Sequence, residues 1–136
     1  MATVKLIEYE EADLAVREIY DDIMDKRQTD RVSNFWKALA VQPELLRRTW
    51  DDVKNVMAAE ALDALTKEMI YIAVSITNSC DYCINSHTTT ARRIGMDDQM
   101  FSELLAVTAL ANQTNALANG IQVEVDSAFN KGGLQT

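Results

Sequence analysis

Residues 63–95 read DALTKEMIYIAVSITNSCDYCINSHTTTARRIG, and this stretch decides the fold. Asp63 is a suitable N-cap for a helix over 64–77, and a polar pair of residues then interrupts the pattern. A second helix is predicted over about 80–94, with Gly95 as the left-handed residue that closes it. The stretch therefore predicts an antiparallel helix hairpin.

The run from Met69 to Val74 is apolar on nearly every side of the first helix. A helix that is apolar all round is expected to be buried. A buried strand is the alternative, since a short apolar run does not distinguish the two by pattern alone. We favour the helix because both flanks are helical and the run lacks strand punctuation.

The rest of the chain extends this helical pattern. Hydrophobic residues make up 48% of the 136 residues, with only four glycines and one proline, a composition that favours helices. We predict an all-α, single-domain bundle of about six to seven helices spanning 1–136. Its other predicted parts are an extended arm (1–8), helices from Glu10 to about Lys26, after Ser33, from Pro43 to about Ala58, after Asp97 and over about 112–126, and a flexible tail (about 130–136).

The charge balance excludes several classes of partner. A formal net charge of −8 argues against general nucleic-acid binding, which needs a basic face, and against anionic membrane surfaces. We see neither a signal peptide nor an apolar run long enough to span a bilayer. A cytoplasmic protein is expected, in which a Cys-x-x-Cys pair is more often redox-active or metal-binding than a static crosslink.

The two cysteines and the single histidine of the chain all fall within eight residues, as Cys80, Cys83 and His87. On a helix that starts at Cys80, the three side chains lie within about 60° of one another. Free N–H groups and the dipole at a helix start stabilise a thiolate, so we expect the pKa of Cys83 to be lowered. His87 follows Cys83 by four residues and can serve it as a base.

Glu68 is predicted to lie close to His87. The two residues are nearly equidistant from the turn of the hairpin, and at about 1.5 Å per residue they sit at a similar height. A relay Glu68–His87–Cys83 is therefore sterically reasonable, with the carboxylate orienting the imidazole.

The pattern Glu68-x11-Cys80-x2-Cys83-x3-His87 in a helical chain resembles the AhpD-like alkylhydroperoxidase branch of the carboxymuconolactone decarboxylase family. The resemblance extends over about 33–125. It implies an AhpD-like helical fold, a homo-oligomer (dimer, trimer or hexamer) and reduction of hydroperoxides. The apolar hairpin, together with two tryptophans and several methionines, independently predicts self-association.

The resemblance also implies a role for each residue of the site. Cys83 would attack the peroxide, and Cys80 would supply a proton and then close a redox-active Cys80–Cys83 disulfide. Glu68 and His87 would form the relay. A dithiol protein of the lipoamide, thioredoxin or peroxiredoxin type would act as reductant, and no cofactor or metal is expected. The chain departs from the best-known members at Tyr82, where they have a second histidine. This change weakens proton delivery to Cys80, so thiol–disulfide exchange is expected ahead of strong peroxidase activity.

Other functions are compatible with the same residues. Cys80, Cys83, His87 and Glu68 can supply four zinc ligands, although structural zinc sites usually take their ligands from separated elements. A non-redox decarboxylase is disfavoured by the cysteine pair, which such relatives generally lack. A protein whose assembly is itself the function is a further alternative. Tyr82 is a possible accessory hydroxyl of the site, and simple packing is the other interpretation of this residue.

Overall fold

Seven α-helices and one short 3-10 helix form the described part of the chain, residues 1–130 of a computed structural model, and no strand occurs among these residues. The all-α prediction is confirmed. The chain divides into two compact units, Met1–Ala58 and Ala59–Thr136. The single-domain expectation stays a prediction. Apart from its first residue, the predicted flexible tail lies outside the described residues.

The first unit buries one face of a long helix among aromatic side chains. Its elements are a 3-10 helix (Tyr9–Glu11), α1 (Leu14–Arg27), α2 (Asn34–Leu39) and α3 (Pro43–Met57). The helix α1 starts four residues later than predicted because the Asp13 carboxylate accepts the N–H of Val16 at 2.9 Å and caps it there. Trp36 and Trp50 pack edge to face, with 5.3 Å between their ring centroids. The buried positions on α1 follow helical spacing: Val16, Ile19, Tyr20 and Ile23.

The second unit contains the predicted hairpin. Its elements are α4 (Ala64–Thr77), α5 (Asp81–Arg93), α6 (Asp98–Ile121) and α7 (Ser127–Asn130). The Asp63 carboxylate accepts the N–H of Thr66 at 2.7 Å, so the predicted cap is confirmed and the strand alternative is wrong. The helix α4 packs against both α5 and α6. Their shared core consists of Ile72, Ala91, Met96 and Leu104.

Gly95 ends the second helix of the hairpin in the left-handed conformation, with a φ of +118°. The N–H of Gly95 donates to the carbonyl of Arg92 at 3.4 Å, and the N–H of Met96 donates to that of Ala91 at 2.9 Å. This pair of bonds satisfies two carbonyls that a helix end leaves unpaired. The chain then turns into α6, which Asp97 caps as predicted.

Two expectations for the second unit are wrong. A single helix, α6, covers the region where a break near residue 111 was predicted, because no glycine or proline lies between residues 98 and 119 and the Asn112 side-chain amide donates to the Thr77 hydroxyl of α4 at 3.1 Å. The all-round apolar segment of α4 is not buried on every side within one chain, since Ile70 and Val74 are 49% and 53% exposed.

Of the helices formed by residues 1–130, none is long and apolar enough to cross a membrane.

Candidate functional site

The turn of the hairpin places a cysteine at the start of α5. Ser79 adopts a left-handed φ of +56°, and the N–H of Cys80 then donates to the Ser75 carbonyl at 2.9 Å. Cys80 is the N-cap residue of α5, and its sulfur accepts the N–H of Cys83 at 3.4 Å. The helix-start N–H group therefore reaches the Cys80 sulfur, where serine, threonine or aspartate oxygens usually sit.

The two thiols are free, partly buried and in contact with each other. Burial, and after it the hydrogen bond with Cys80, raise the pKa of the Cys83 thiol to about 11. The expected lowering of this pKa is thus wrong, because removal from water and the neighbouring sulfur outweigh the position of Cys83 in the first helical turn. A buried neutral thiol needs a proton acceptor before it can act as a nucleophile.

Ser75 is a member of the site that the sequence argument missed. Its side chain hydrogen bonds Cys83 and opposes the rise in the pKa of that thiol, and the residue is only 4% exposed. A hydroxyl that donates to sulfur stabilises the thiolate form. A signal was present in the sequence, since Ser75 interrupts the apolar run of α4 and follows Glu68 by seven residues, two turns along the same face.

Glu68, which is buried, and His87, which is partly buried, form a pair across the hairpin. Nδ1 of His87 lies 2.6 Å from Oε2 of Glu68, and the two side chains are 15% and 12% exposed. A carboxylate bound at Nδ1 holds the proton on that nitrogen and leaves Nε2 to exchange protons elsewhere. The hairpin thus brings together the two predicted relay residues, and their catalytic role stays a prediction.

The imidazole has a second neighbour that the sequence argument missed. The ring of Tyr71 stacks on that of His87, with 3.6 Å between the centroids and 20° between the planes. Tyr71 follows Glu68 by three residues on α4, so both side chains project toward α5 from adjacent positions of one face.

Of the two contacts in the predicted relay, the structure contains the one between Glu68 and His87. Within residues 1–130, the His87 ring makes no hydrogen bond to either sulfur. Tyr82, the possible accessory residue, is 44% exposed.

Among residues 1–130, no three His, Cys, Asp or Glu side chains are grouped closely enough to hold a metal ion, so the zinc alternative has no ligand set there.

Comparison with known proteins places these features in a wider group. Residues 43–123 match the model of the "Carboxymuconolactone decarboxylase family". The structure is similar to that of the alkylhydroperoxidase AhpD core from Rhodospirillum rubrum, with a TM-score of 0.92 and 50% identity, covering 97% of this chain and 99% of that one.

Two curated proteins share part of the sequence. "Uncharacterized protein 4 in cox locus" from Paracoccus denitrificans is 35% identical over 82 residues, which cover 55% of this chain and 72% of that protein. "Uncharacterized protein YdfG" from Bacillus subtilis is 35% identical over 48 residues, or 35% of this chain and 33% of that protein. The structural likeness therefore extends over nearly the whole chain, whereas these two alignments cover parts of it.

Proposed function

The chain belongs to the carboxymuconolactone decarboxylase family, and from that premise we propose that it is an AhpD-like, thiol-dependent hydroperoxide reductase. The observation that carries the proposal is the presence of two free thiols at the start of α5 and of the part-buried Glu68–His87 pair in the same hairpin. The similar AhpD core from Rhodospirillum rubrum, whose name is that of an alkylhydroperoxidase, supports this choice within the family.

The proposed reaction consumes one hydroperoxide per turnover. The Cys83 thiolate attacks the terminal peroxide oxygen, the O–O bond breaks, and the alkoxide leaves as alcohol after taking a proton. Cys83 is then a sulfenic acid. The Cys80 sulfur attacks it, the S–O bond breaks, and hydroxide leaves as water, so that a Cys80–Cys83 disulfide remains. A dithiol protein of the lipoamide, thioredoxin or peroxiredoxin type returns two electrons and two protons.

In the proposed mechanism, the Glu68–His87 relay supplies the base that the partly buried Cys83 thiol requires. Because the pKa of this thiol is raised to about 11, little of it is ionised at neutral pH without a base. We propose that Nε2 of His87 accepts the Cys83 proton and later delivers it to the leaving alkoxide, while Glu68 stabilises the charged imidazole through Nδ1. The Ser75 hydroxyl then donates to the thiolate.

The same dithiol can exchange with a disulfide without any peroxide. Tyr82 stands where the best-known members of the branch have a second histidine, so proton delivery to Cys80 relies on other groups. We therefore propose disulfide reductase activity alongside peroxide reduction. The proposed setting is the cytoplasm, where thiols are kept reduced. The proposed form is a homo-oligomer that covers the exposed apolar positions of α4 and α6.

Turnover with both kinds of acceptor tests this proposal. The protein is supplied with excess dihydrolipoamide and either an organic hydroperoxide or an aromatic disulfide, and consumption of each acceptor is followed. We expect turnover of both, lost in Cys83→Ser and retained in Glu103→Gln, which alters an exposed glutamate on α6. Turnover of the disulfide alone would reduce the proposal to disulfide exchange, and turnover of neither acceptor would overturn it.

A further inference from the structure

Two residues of α4 contact the His87 imidazole, and only one of them is part of the relay. Glu68 binds the edge of the ring at Nδ1, over 2.6 Å. Such a bond sets the distance between Nδ1 and the carboxylate, but the Glu68 side chain can move together with the imidazole, so the bond alone does not hold the ring in one plane. A second contact is needed to fix the plane of the imidazole.

Tyr71 supplies a contact of that kind. Its ring lies nearly parallel to the imidazole, at a centroid distance of 3.6 Å. At this spacing the two rings touch face to face, and any tilt of the imidazole out of its plane meets the tyrosine ring. The stacked ring also covers one face of His87, whose side chain is only 15% exposed, although Tyr71 itself is 38% exposed.

We propose that Tyr71 is a positioning residue for the proton transfer, because its stacked ring holds the plane in which Nε2 of His87 meets the reacting thiol. The sequence spacing makes the arrangement possible, since positions i and i+3 of one helix present neighbouring side chains to the same partner. Glu68 and Tyr71 therefore contact the His87 imidazole together, Glu68 at its edge and Tyr71 at its face. The inference rests on the proposed function for its effect on rate, but not for its effect on the ring.

His87 is the single histidine of the chain, so its imidazole gives one set of ring signals in a magnetic resonance spectrum. Stacking displaces these proton signals upfield through the ring current of Tyr71. In Tyr71→Phe, which keeps an aromatic ring, we expect the displacement to persist. In Tyr71→Leu we expect it to vanish. Tyr9→Leu is the matched control, because it removes a packed tyrosine ring from the Met1–Ala58 unit and should leave the His87 signals in place.

The rate of thiol oxidation by stoichiometric organic hydroperoxide is measured on the same variants. We expect Tyr71→Leu to slow thiol oxidation by about ten- to a hundredfold, because misplacing a catalytic group by about 1 Å has an effect of this size on a reaction rate. Tyr71→Phe should stay within about threefold of the wild type. Circular dichroism establishes that each variant is folded.

The two measurements separate failure of this inference from failure of the proposed function. If the wild type does not oxidise but the ring signals respond as expected, the positioning role stands and the peroxidase proposal fails. If Tyr71→Leu is folded and both signals and rate match the wild type, the positioning role is overturned. Should Tyr71→Leu not fold, magnetisation transfer between the Tyr71 and His87 ring protons of the wild type decides, and its absence overturns the inference.

Discussion

The backbone N–H of Cys83 donates to the Cys80 sulfur at 3.4 Å, so Cys80 is the thiol that receives a helix-start N–H. Cys83 lies one turn further in, where burial and the Cys80 side chain both raise the pKa of its thiol. The two sulfurs of one motif therefore sit in different electrostatic surroundings. In the proposed reaction this difference makes Cys83 dependent on a base.

The pH dependence of Cys83 alkylation should reveal its neighbours. In the wild type, Cys83 labelling should rise as the pH approaches about 11. Replacing Cys80 by alanine removes a hydrogen bond and a charge that raise the pKa of Cys83, so the labelling curve should move to lower pH. Ser75→Ala removes a contact that lowers this pKa, so in that variant the curve should move to higher pH.

Mass-spectrometric quantification of each labelled cysteine provides this measurement. Thr90→Val is the control, since its hydroxyl donates to the Ser86 carbonyl at 3.2 Å instead of to a thiol. A Cys83 curve that stays in place in both the Cys80 and the Ser75 variants would rule out the contacts described for this sulfur.

Glu68 and His87 should act on the same step. Glu68→Gln and His87→Gln each break one end of the relay, so each should slow peroxide-dependent thiol oxidation by about ten- to a thousandfold. Because either loss interrupts the same proton path, the double variant should be little slower than the slower single variant. Stopped-flow oxidation rates on the four proteins measure the coupling.

Both relay side chains are largely removed from solvent, at 15% and 12% exposure, so folding is checked first by circular dichroism. Glu103→Gln again serves as the exposed control. If the losses of the two single variants multiply in a folded double variant, the groups work independently and the relay is wrong.

Self-association is expected from the surface of α6. Four apolar side chains on one face of this helix are 55–71% exposed in the single chain, namely Val107, Leu110, Leu117 and Ile121. We expect light scattering at micromolar concentration to give a multiple of the 15.2 kDa chain mass, and the double variant Val107→Glu/Leu110→Glu to lower it. Val4→Glu, an exposed apolar position of the other unit, should leave the mass unchanged. A wild-type mass of one chain would contradict the expectation.

A charged cluster should stabilise the first unit in a pH-dependent way. Trp50 Nε1 and Lys54 Nζ each donate to Oδ2 of Asp22 at 2.7 Å, and these bonds, led by that from Lys54, lower the pKa of Asp22. Because the Asp22 side chain is 35% exposed, we expect Asp22→Asn to cost only about 1 kcal/mol of unfolding free energy at neutral pH.

The sign of the pH effect follows from the lowered pKa. The ionised carboxylate stabilises the fold above its unfolded pKa, near 3.8, and this contribution is lost as the pH falls through the lower folded value. The difference in unfolding free energy between the wild type and Asp22→Asn should therefore disappear in strong acid. Tryptophan fluorescence during urea unfolding measures it, since Trp36 and Trp50, the two tryptophans of the chain, both lie in Met1–Ala58. Asp25→Asn, at a 73% exposed side chain, is the control, and a gap that persists at low pH would contradict the assignment.

Local signals in the sequence predicted three helix boundaries around the hairpin. The caps at Asp63 and Asp97 and the left-handed Gly95 depend on neighbouring residues alone, and the structure has all three. The continuation of α6 past residue 111 escaped prediction, because the Asn112 amide makes a tertiary bond to Thr77 that the local sequence does not show.

In the candidate site, too, the features set by helix spacing could be predicted from the sequence, whereas those set by tertiary packing could not. Counting along a hairpin was enough to expect Glu68 near His87, because the rise of a helix is fixed. The stacking of Tyr71 and the contact of Ser75 with Cys83 depend on how α4 rotates against α5, which the spacing of residues does not determine. The rise in the pKa of Cys83 could not be predicted for the same reason, since burial is a tertiary property.

The central claim is that Cys80 and Cys83 together reduce a hydroperoxide, and a titration of the fully reduced protein with an organic hydroperoxide tests it most directly. Free thiols are counted and peptides mapped by mass spectrometry after one equivalent per chain. The account predicts loss of both thiols, one alcohol formed per peroxide, and a Cys80–Cys83 disulfide; Cys80→Ser should stop at a sulfenic acid on Cys83. Two thiols that persist after this treatment, or a sulfenic acid that forms faster on Cys80 in Cys83→Ser than on Cys83 in Cys80→Ser, would contradict it.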